Sequence, residues 1–257
     1  TERSATRQEI ITQLGPAHSY ALLIGISDFD NAGWHRLEGV GPEIQKIGGA
    51  LSAQGFTIVP ESHTGRMDHA ALKTAIERFF STYGQKAEDR LVVYVATHGY
   101  SRDLDTVGVN YIITHDTEIG ANIDRDSLYA TALPMVAISN AIATRVKAGK
   151  AAIFLDTCYS GAFAVDDSVL RDSRDDTVGK QMSHVSGRFI LAGSSSQEEA
   201  LDGVDGHGVL TEVLLKGLSG DADRQVAGNH DGKVSVFELG EYAKAKVPEL
   251  AKQVGHG

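Results

Sequence analysis

This sequence of 257 residues contains one cysteine and no long apolar run. A single cysteine excludes an intramolecular disulfide and a cysteine-rich zinc module. A membrane-spanning helix needs about 20 consecutive apolar residues. The longest runs here, YALLIGI (20–26) and LVVYVA (91–96), have only the length of strands. We therefore expect no membrane interaction.

Positive charge is also scarce. The chain has 24 Lys and Arg against 34 Asp and Glu, which gives a net charge of -10 and argues against a nucleic-acid partner. No glycine-rich phosphate loop is present, which argues against nucleotide use. The histidines lack metal-ligand spacing, so no metal site is predicted. At this length, folding buries roughly 70–75% of the surface of the unfolded chain, so a large core can form without disulfides or a structural metal.

The two ends of the sequence indicate a piece of a larger protein. It begins at Thr1 without methionine and ends at Gly255-His256-Gly257. No signal peptide is recognisable at the start, and we expect a cytoplasmic location.

Apolar runs and helical stripes alternate along the chain. Strands are predicted at 20–26, 56–59, 90–97, 109–114, 150–156 and 188–193. Helical spacing predicts inward faces formed by Ile44, Ile47, Leu51, Leu72, Ile76, Phe79, Phe80, Met135, Ile138 and Ile142, and further helices are predicted at about 208–217 and 235–247. The strands are almost entirely apolar, which is typical of a parallel sheet covered by helices on both faces.

One long segment interrupts this pattern. Residues 165–182 (VDDSVLRDSRDDTVGKQM) are acidic and have little apolar periodicity. A loop of this length inside a compact domain is unusual and is often functional or disordered. We therefore divide the chain into an N-terminal arm or linker (1–18), a first part (19–164), an acidic connector (165–182) and a second part (183–257) of the same domain.

Two chemically capable residues follow predicted strands. His98 comes after 90–97, and Cys158 comes just after 150–156. Parallel sheets form sites beyond the carboxyl ends of their strands, so both residues are expected at one edge. An imidazole can generate a thiolate, and Gly99 and Gly161 allow backbone N–H groups to approach an oxyanion. On these residues alone the alternative stays open that the cysteine is a small buried apolar residue.

The segment LDTCYSG (155–161) resembles the nucleophile motif of metacaspases and bacterial caspase-like peptidases (orthocaspases), and YVATHGY (94–100) resembles their His-Gly strand end. The resemblance covers about residues 20–250. It implies a caspase-like three-layer α/β/α sandwich with a central, mostly parallel six-stranded sheet. Residues 19–164 would be the large-subunit-like part and 183–257 the small-subunit-like part.

The resemblance also implies a mechanism. Cys158 would attack the scissile carbonyl, and His98 would act as general acid and base. The backbone N–H groups of Gly99 and Cys158 would hold the oxyanion. The expected activity is that of a cysteine endopeptidase with an acyl-enzyme intermediate and no required cofactor.

The resemblance further implies a substrate with Arg or Lys at P1, the residue before the cleaved bond. Asp156 matches the S1 acid of metacaspases, and Glu43 matches a second pocket position that usually holds Asp. A buried carboxylate recognises a guanidinium strongly. Two alternatives stay open: Asp156 caps a nearby turn, or Glu43 is an acid favoured by the dipole of its own helix.

Departures from true caspases support a basic P1. Leu37 replaces an arginine that those enzymes use, and the segment after the sixth strand is acidic at Glu198, Glu199 and Asp202. Ala96 stands where metacaspases often have serine, which leaves the choice between Arg and Lys open. A catalytically silent caspase-like interaction module and an Asp-specific protease are the alternative functions.

The connector offers Arg171, Arg174 and Lys180 as self-cleavage sites, with a solvated linker as the alternative. Bacterial relatives are regulated effectors, so a sensor module is an expected partner. Many metacaspases need calcium, but the sequence shows no site for it. The EF-hand-like stretch 228–239 has Ala227 at the first ligand position, so we interpret it as a turn and a helix start.

Overall fold

The computed structural model describes residues 18–100, 111–118, 125–157, 188–192 and 208–254. Within these ranges six strands form one parallel sheet: β1 (Ser19–Ile26), β2 (Thr57–Ile58), β3 (His63–Gly65), β4 (Arg90–Thr97), β8 (Lys150–Thr157) and β9 (Arg188–Ala192). Their order is β2-β1-β4-β8-β9, and β3 also pairs with β1. The long apolar runs of the sequence therefore form its central strands.

Helices cover both faces of this sheet. They are α1 (Val40–Ala53), α2 (His69–Tyr83), α3 (Arg125–Thr131), α4 (Met135–Arg145), α5 (Val209–Lys216), α6 (Ala222–Arg224) and α7 (Val236–Val254), with a π-helical turn at Gly217–Asp221. Apolar stripes of α2 and α4 pack on one face, and those of α1, α5 and α7 pack on the other. The three-layer α/β/α prediction is confirmed, as are the predicted inward-facing stripes.

The predicted strand at 109–114 does not belong to the central sheet. Its described part is β6 (Tyr111–Ile112), which pairs antiparallel with β5 (Gly99–Tyr100) and β7 (Leu133–Pro134) in a separate small sheet. The sixth strand of the central sheet is instead His63–Gly65. Sequence periodicity missed that strand because it is three residues long and lacks an aliphatic side chain.

The register between β4 and β8 fixes both ends of the sheet. Thr97 pairs with Thr157 at the carboxyl ends, and Arg90 pairs with Lys150 at the opposite ends. Residues 1–17 and the connector 165–182 lie outside the described residues. Among the described helices, none is long and apolar enough to cross a membrane.

Candidate active site

His98 lies directly after β4 and is 5% exposed. Its Nε2 is 2.8 Å from the backbone carbonyl oxygen of His35. A carbonyl oxygen can only accept a hydrogen bond, so Nε2 carries the proton and donates it. In the neutral ring Nδ1 is then the basic nitrogen. This tautomer is the one that can take up a proton at Nδ1.

Aromatic rings surround His98. The ring centre of Phe29 lies 4.9 Å away, that of Trp34 5.6 Å away, and that of His35 4.5 Å away in a T-shaped arrangement. The indole Nε1 of Trp34 donates to the carbonyl of Thr117 at 3.2 Å. These contacts restrict rotation of the imidazole and fix the loop that supplies the His35 carbonyl.

A second set of contacts anchors the same loop through Asp30. Its carboxylate accepts hydrogen bonds from Arg66 and from Nδ1 of His115, and its backbone N–H donates to the carbonyl of His115 at 2.8 Å. The hydrogen bond from Arg66 lowers the pKa of Asp30. This anchor could not be predicted from the sequence, because its three residues come from separate parts of the chain.

The other members of the predicted catalytic group are only partly described. Gly99 is buried in β5. Cys158 lies outside the described residues, as do Glu198, Glu199, Asp202, Arg171, Arg174 and Lys180. The last described residue before Cys158 is Thr157. Thr157 pairs with Thr97, the residue that immediately precedes His98.

Asp156 lies near the end of β8 and contacts α5. Its Oδ2 accepts hydrogen bonds from the backbone N–H of Thr211 at 3.2 Å, from Thr211 Oγ1 at 2.5 Å and from the hydroxyl of Tyr94 at 3.4 Å. Tyr94 and Thr211 are fully buried. Burial raises the pKa of Asp156, and the hydrogen bonds from Thr211 act against that rise.

Glu43 reaches the same place from α1. It is 5% exposed, and its Oε1 accepts from the backbone N–H of Gly208 at 2.6 Å. Gly208 also passes close to Asp156, because a Cβ on it would lie 2.9 Å from Asp156 Oδ2. The structure therefore brings together the two acids that the sequence proposed for S1.

Both acids sit at the N-terminus of α5. Gly208 is the N-cap residue of that helix, and Thr211 is three positions later. Helix N-termini present unpaired N–H groups and attract negative charge. Asp156 thus accepts an N–H group in the first turn of a distant helix, and Glu43 contacts α5 besides lying in the first turn of its own helix.

Tyr94 completes this acidic cluster. Burial raises its pKa well above the usual value, and the neighbouring Asp156 and Glu43 raise it further. The phenol therefore stays neutral and can donate. Sequence reasoning missed Tyr94, Thr211 and Gly208. The tyrosine hydroxyl within the apolar strand RLVVYVAT was the one signal available, since a buried hydroxyl needs a partner.

The carboxylates of the acidic turn before α7 accept hydrogen bonds from backbone N–H groups of the protein. Glu238 accepts the backbone N–H groups of Asn229 and Ser235 at 2.9 and 2.8 Å. Asp223 accepts those of Asp231 and Gly232, each at 3.1 Å. Within the described ranges no three acidic, histidine or cysteine side chains are grouped to hold a metal ion. The turn and helix start predicted at 228–239 are confirmed by α7, which begins at Val236.

The parallel sheet between two helical layers, with a buried histidine directly after a central strand, agrees with the predicted caspase-like domain. The caspase domain family (peptidase C14) matches residues 18–253, and the chain belongs to this family. The Drosophila initiator caspase Dronc has a similar fold, with a TM-score of 0.50 and 10% identity over 79% of this chain. The match spans 66% of the Dronc chain, just under two thirds. No curated protein matches the chain significantly.

Proposed function

We propose that this chain is a cysteine endopeptidase that cleaves proteins after Arg or Lys. Cys158 is the nucleophile, His98 is the general acid and base, and the N–H groups of Gly99 and Cys158 hold the oxyanion. Membership of the peptidase family supports the reaction class. The pairing of Thr97 with Thr157 supports the dyad, because these residues immediately precede His98 and Cys158.

The tautomer of His98 supports a specific order of proton transfers. Nδ1 takes the proton from the Cys158 thiol, and the thiolate attacks the scissile carbonyl carbon. The imidazolium then protonates the leaving amine, and the C–N bond breaks to give a thioester. Nδ1 next takes a proton from water, whose oxygen attacks the thioester. The carboxylic acid product leaves, and the proton returns to the thiol.

The acidic cluster at the N-terminus of α5 carries the proposed specificity. Within the described residues, every hydrogen bond to Asp156 ends on Oδ2, which leaves Oδ1 to accept one from a substrate. Among the described residues, no Lys or Arg forms an ion pair with Asp156. A guanidinium at P1 would supply the counter-charge, and a buried pair of this kind is strong and directional. Glu43, joined through Gly208, adds negative potential.

A fluorogenic peptide library varied at P1 tests this function, run on the wild type with and without calcium. We expect cleavage after Arg and Lys, with no cleavage by Cys158→Ala. Asp156→Asn should lower kcat/KM for Arg substrates by about 100-fold, whereas Glu249→Gln, an exposed acid on α7, should not. Preferential cleavage after Asp would establish the Asp-specific alternative. Absence of any cleavage would favour the silent interaction module.

Self-processing in the connector is a further part of this proposal, consistent with a regulated effector that responds to a sensor module. Arg171, Arg174 and Lys180 match the proposed P1 specificity. Intact mass after incubation tests the idea, with Cys158→Ala as the inactive control. We expect fragments ending at one of the three residues from the wild type only. A single uncut mass from active enzyme would contradict it.

A further inference from the structure

A cavity lies at the opposite end of the central strands from His98. Its volume is about 390 Å³, which is within the range of small-molecule sites. It lies beside the first residues of β4 and β8, between the end of α1 and the start of α7. Its described lining is mainly apolar and includes Leu51, Phe56, Val92, Ala152, Phe154 and Leu239.

Two cations, Arg90 and Lys150, line this cavity. Arg90 and Lys150 are partners in the register of β4 and β8, so their side chains leave the same face of the sheet. Both are exposed, and in the described part of the chain neither has a carboxylate partner. Neighbouring like charges repel each other, and an anion beside them relieves that repulsion. In a protein of net charge -10, this pair makes the mouth of the cavity a favourable place for an anion.

The guanidinium of Arg90 is held in place at the cavity. Its Nε donates to Ser19 Oγ at 2.8 Å, and its Cζ lies 5.1 Å from the centre of the Phe56 ring. A fixed planar guanidinium is suited to a carboxylate, because it can donate two parallel hydrogen bonds. Lys150 adds a second charge beside it.

The lining of the cavity determines how polar the buried part of the ligand can be. Two uncharged polar side chains line it, and each already forms a hydrogen bond within the protein: Gln54 donates to the carbonyl of Leu218 at 3.1 Å, and Ser235 Oγ accepts from the N–H of Glu238 at 3.2 Å. A sugar, nucleotide or peptide backbone would lose more hydrogen bonds to water than these two side chains could replace. An alkyl chain has no such cost.

We propose that this cavity binds a fatty-acid-like anion, with the alkyl chain among the apolar side chains and the carboxylate between Arg90 and Lys150. The site is separate from the peptidase centre, since the carboxyl ends of the strands carry His98 and Asp156 whereas this cavity lies at their amino ends. Its test therefore does not depend on proteolytic activity.

Calorimetry of the full chain with dodecanoate, below its micelle concentration, tests the site. We expect saturable binding with one ligand per chain. The double variant Arg90→Gln/Lys150→Gln should weaken binding by at least about tenfold. The matched control Lys73→Gln/Arg78→Gln removes two exposed cations from α2, on the other face of the sheet, and should leave binding unchanged.

Two further measurements distinguish the contribution of the ligand's charged head group from that of its alkyl chain. Ala152→Leu fills the cavity from its wall and should weaken dodecanoate binding, provided that circular dichroism shows the folded state. Dodecyltrimethylammonium, which has the same chain and the opposite charge, should not bind. The proposal is overturned if dodecanoate does not saturate, if both charge variants bind alike, or if the cationic amphiphile binds equally well.

Discussion

Asp156 and Thr211 are joined by two hydrogen bonds, one from the backbone N–H at 3.2 Å and one from Oγ1 at 2.5 Å, and both end on the same carboxylate oxygen. Asp156 is the penultimate residue of β8, and Thr211 lies in the first turn of α5. The contact therefore ties the end of a central strand to a helix from the later part of the chain.

Thr211→Val should destabilise the protein and loosen substrate binding. Valine keeps the shape of threonine but removes the hydroxyl, which is hydrogen-bonded to the Tyr94 hydroxyl at 2.6 Å and to Asp156. Tyr94 and Asp156 would therefore each lose one partner. Loss of a buried hydrogen bond of this kind costs about 1–3 kcal/mol. Denaturant unfolding should show this loss, and KM for Arg peptides should rise more than kcat falls. Thr211→Ser retains the hydroxyl and should recover most of both properties; equal defects in Ser and Val would contradict this role.

Gly208→Ala should be poorly tolerated, although the backbone conformation of Gly208 (φ -61°) is open to any residue. The added Cβ would lie 2.9 Å from Asp156 Oδ2, so the helix start or the carboxylate must move. We expect a loss of about 1–3 kcal/mol in unfolding free energy and weaker binding of Arg peptides. Gly49→Ala in α1 is the matched control, because a Cβ there meets no atom within 4 Å. Unfolding curves that rank the two variants equally would refute the steric argument.

Trp34→Phe should lower kcat and leave KM nearly unchanged. The substitution removes the hydrogen bond to the Thr117 carbonyl while keeping an aromatic ring beside His98. The loop that supplies the His35 carbonyl would then be less fixed, and the imidazole would spend less time in the productive orientation. We expect a reduction of about tenfold in single-turnover rate. A change confined to KM would assign Trp34 to substrate contact instead.

Glu238→Gln should destabilise the protein at neutral pH more than at low pH. Glu238 and Ser235 form a capping box at the start of α7: the carboxylate accepts the Ser235 N–H, and Ser235 Oγ accepts the Glu238 N–H. The hydrogen bonds from the Ser235 and Asn229 N–H groups lower the pKa of Glu238 below 4.5. The stabilisation by the charged group is therefore present above pH 4.5 and lost as the pH falls through the folded-state pKa.

Thermal melts of the wild type and Glu238→Gln between pH 3 and 7 measure this difference. We expect a gap of about 1 kcal/mol at pH 7 that narrows toward pH 3. Glu241→Gln, three residues later on the same helix, is the control and should show little pH-dependent difference. A gap that widens on acidification would contradict the capping role.

The central strands and the longer helices could be predicted from the sequence because buried positions repeat at the period of the element that carries them. Leu72, Ile76 and Phe79 repeat at helical spacing because they face one sheet. His98 was found for a similar reason, since it follows a recognisable buried strand. Asp156 and Glu43 were named from a resemblance, and the structure supplied what they contact.

The remaining contacts could not be read from the sequence because they join distant positions. Thr211 is 55 residues from Asp156, and Gly208 is 165 residues from Glu43. Neither partner carries a local pattern: a threonine inside a helix and a glycine before one are common. The hydrogen bond from His98 to the His35 carbonyl could not be predicted either, because every residue has a backbone carbonyl and the sequence does not show which one is used.

Two sets of contacts affect how the protein refolds: β8 pairs with β9, and the N-terminus of α5 is hydrogen-bonded to Asp156 and Glu43. These contacts join chain segments on either side of residues 165–182, so a cut in that stretch would leave the native assembly held by noncovalent contacts. The uncut chain can renature at a rate independent of its concentration, since all its parts are tethered. After a cut the two pieces must meet by diffusion, so recovery from denaturation becomes second order and fails on dilution.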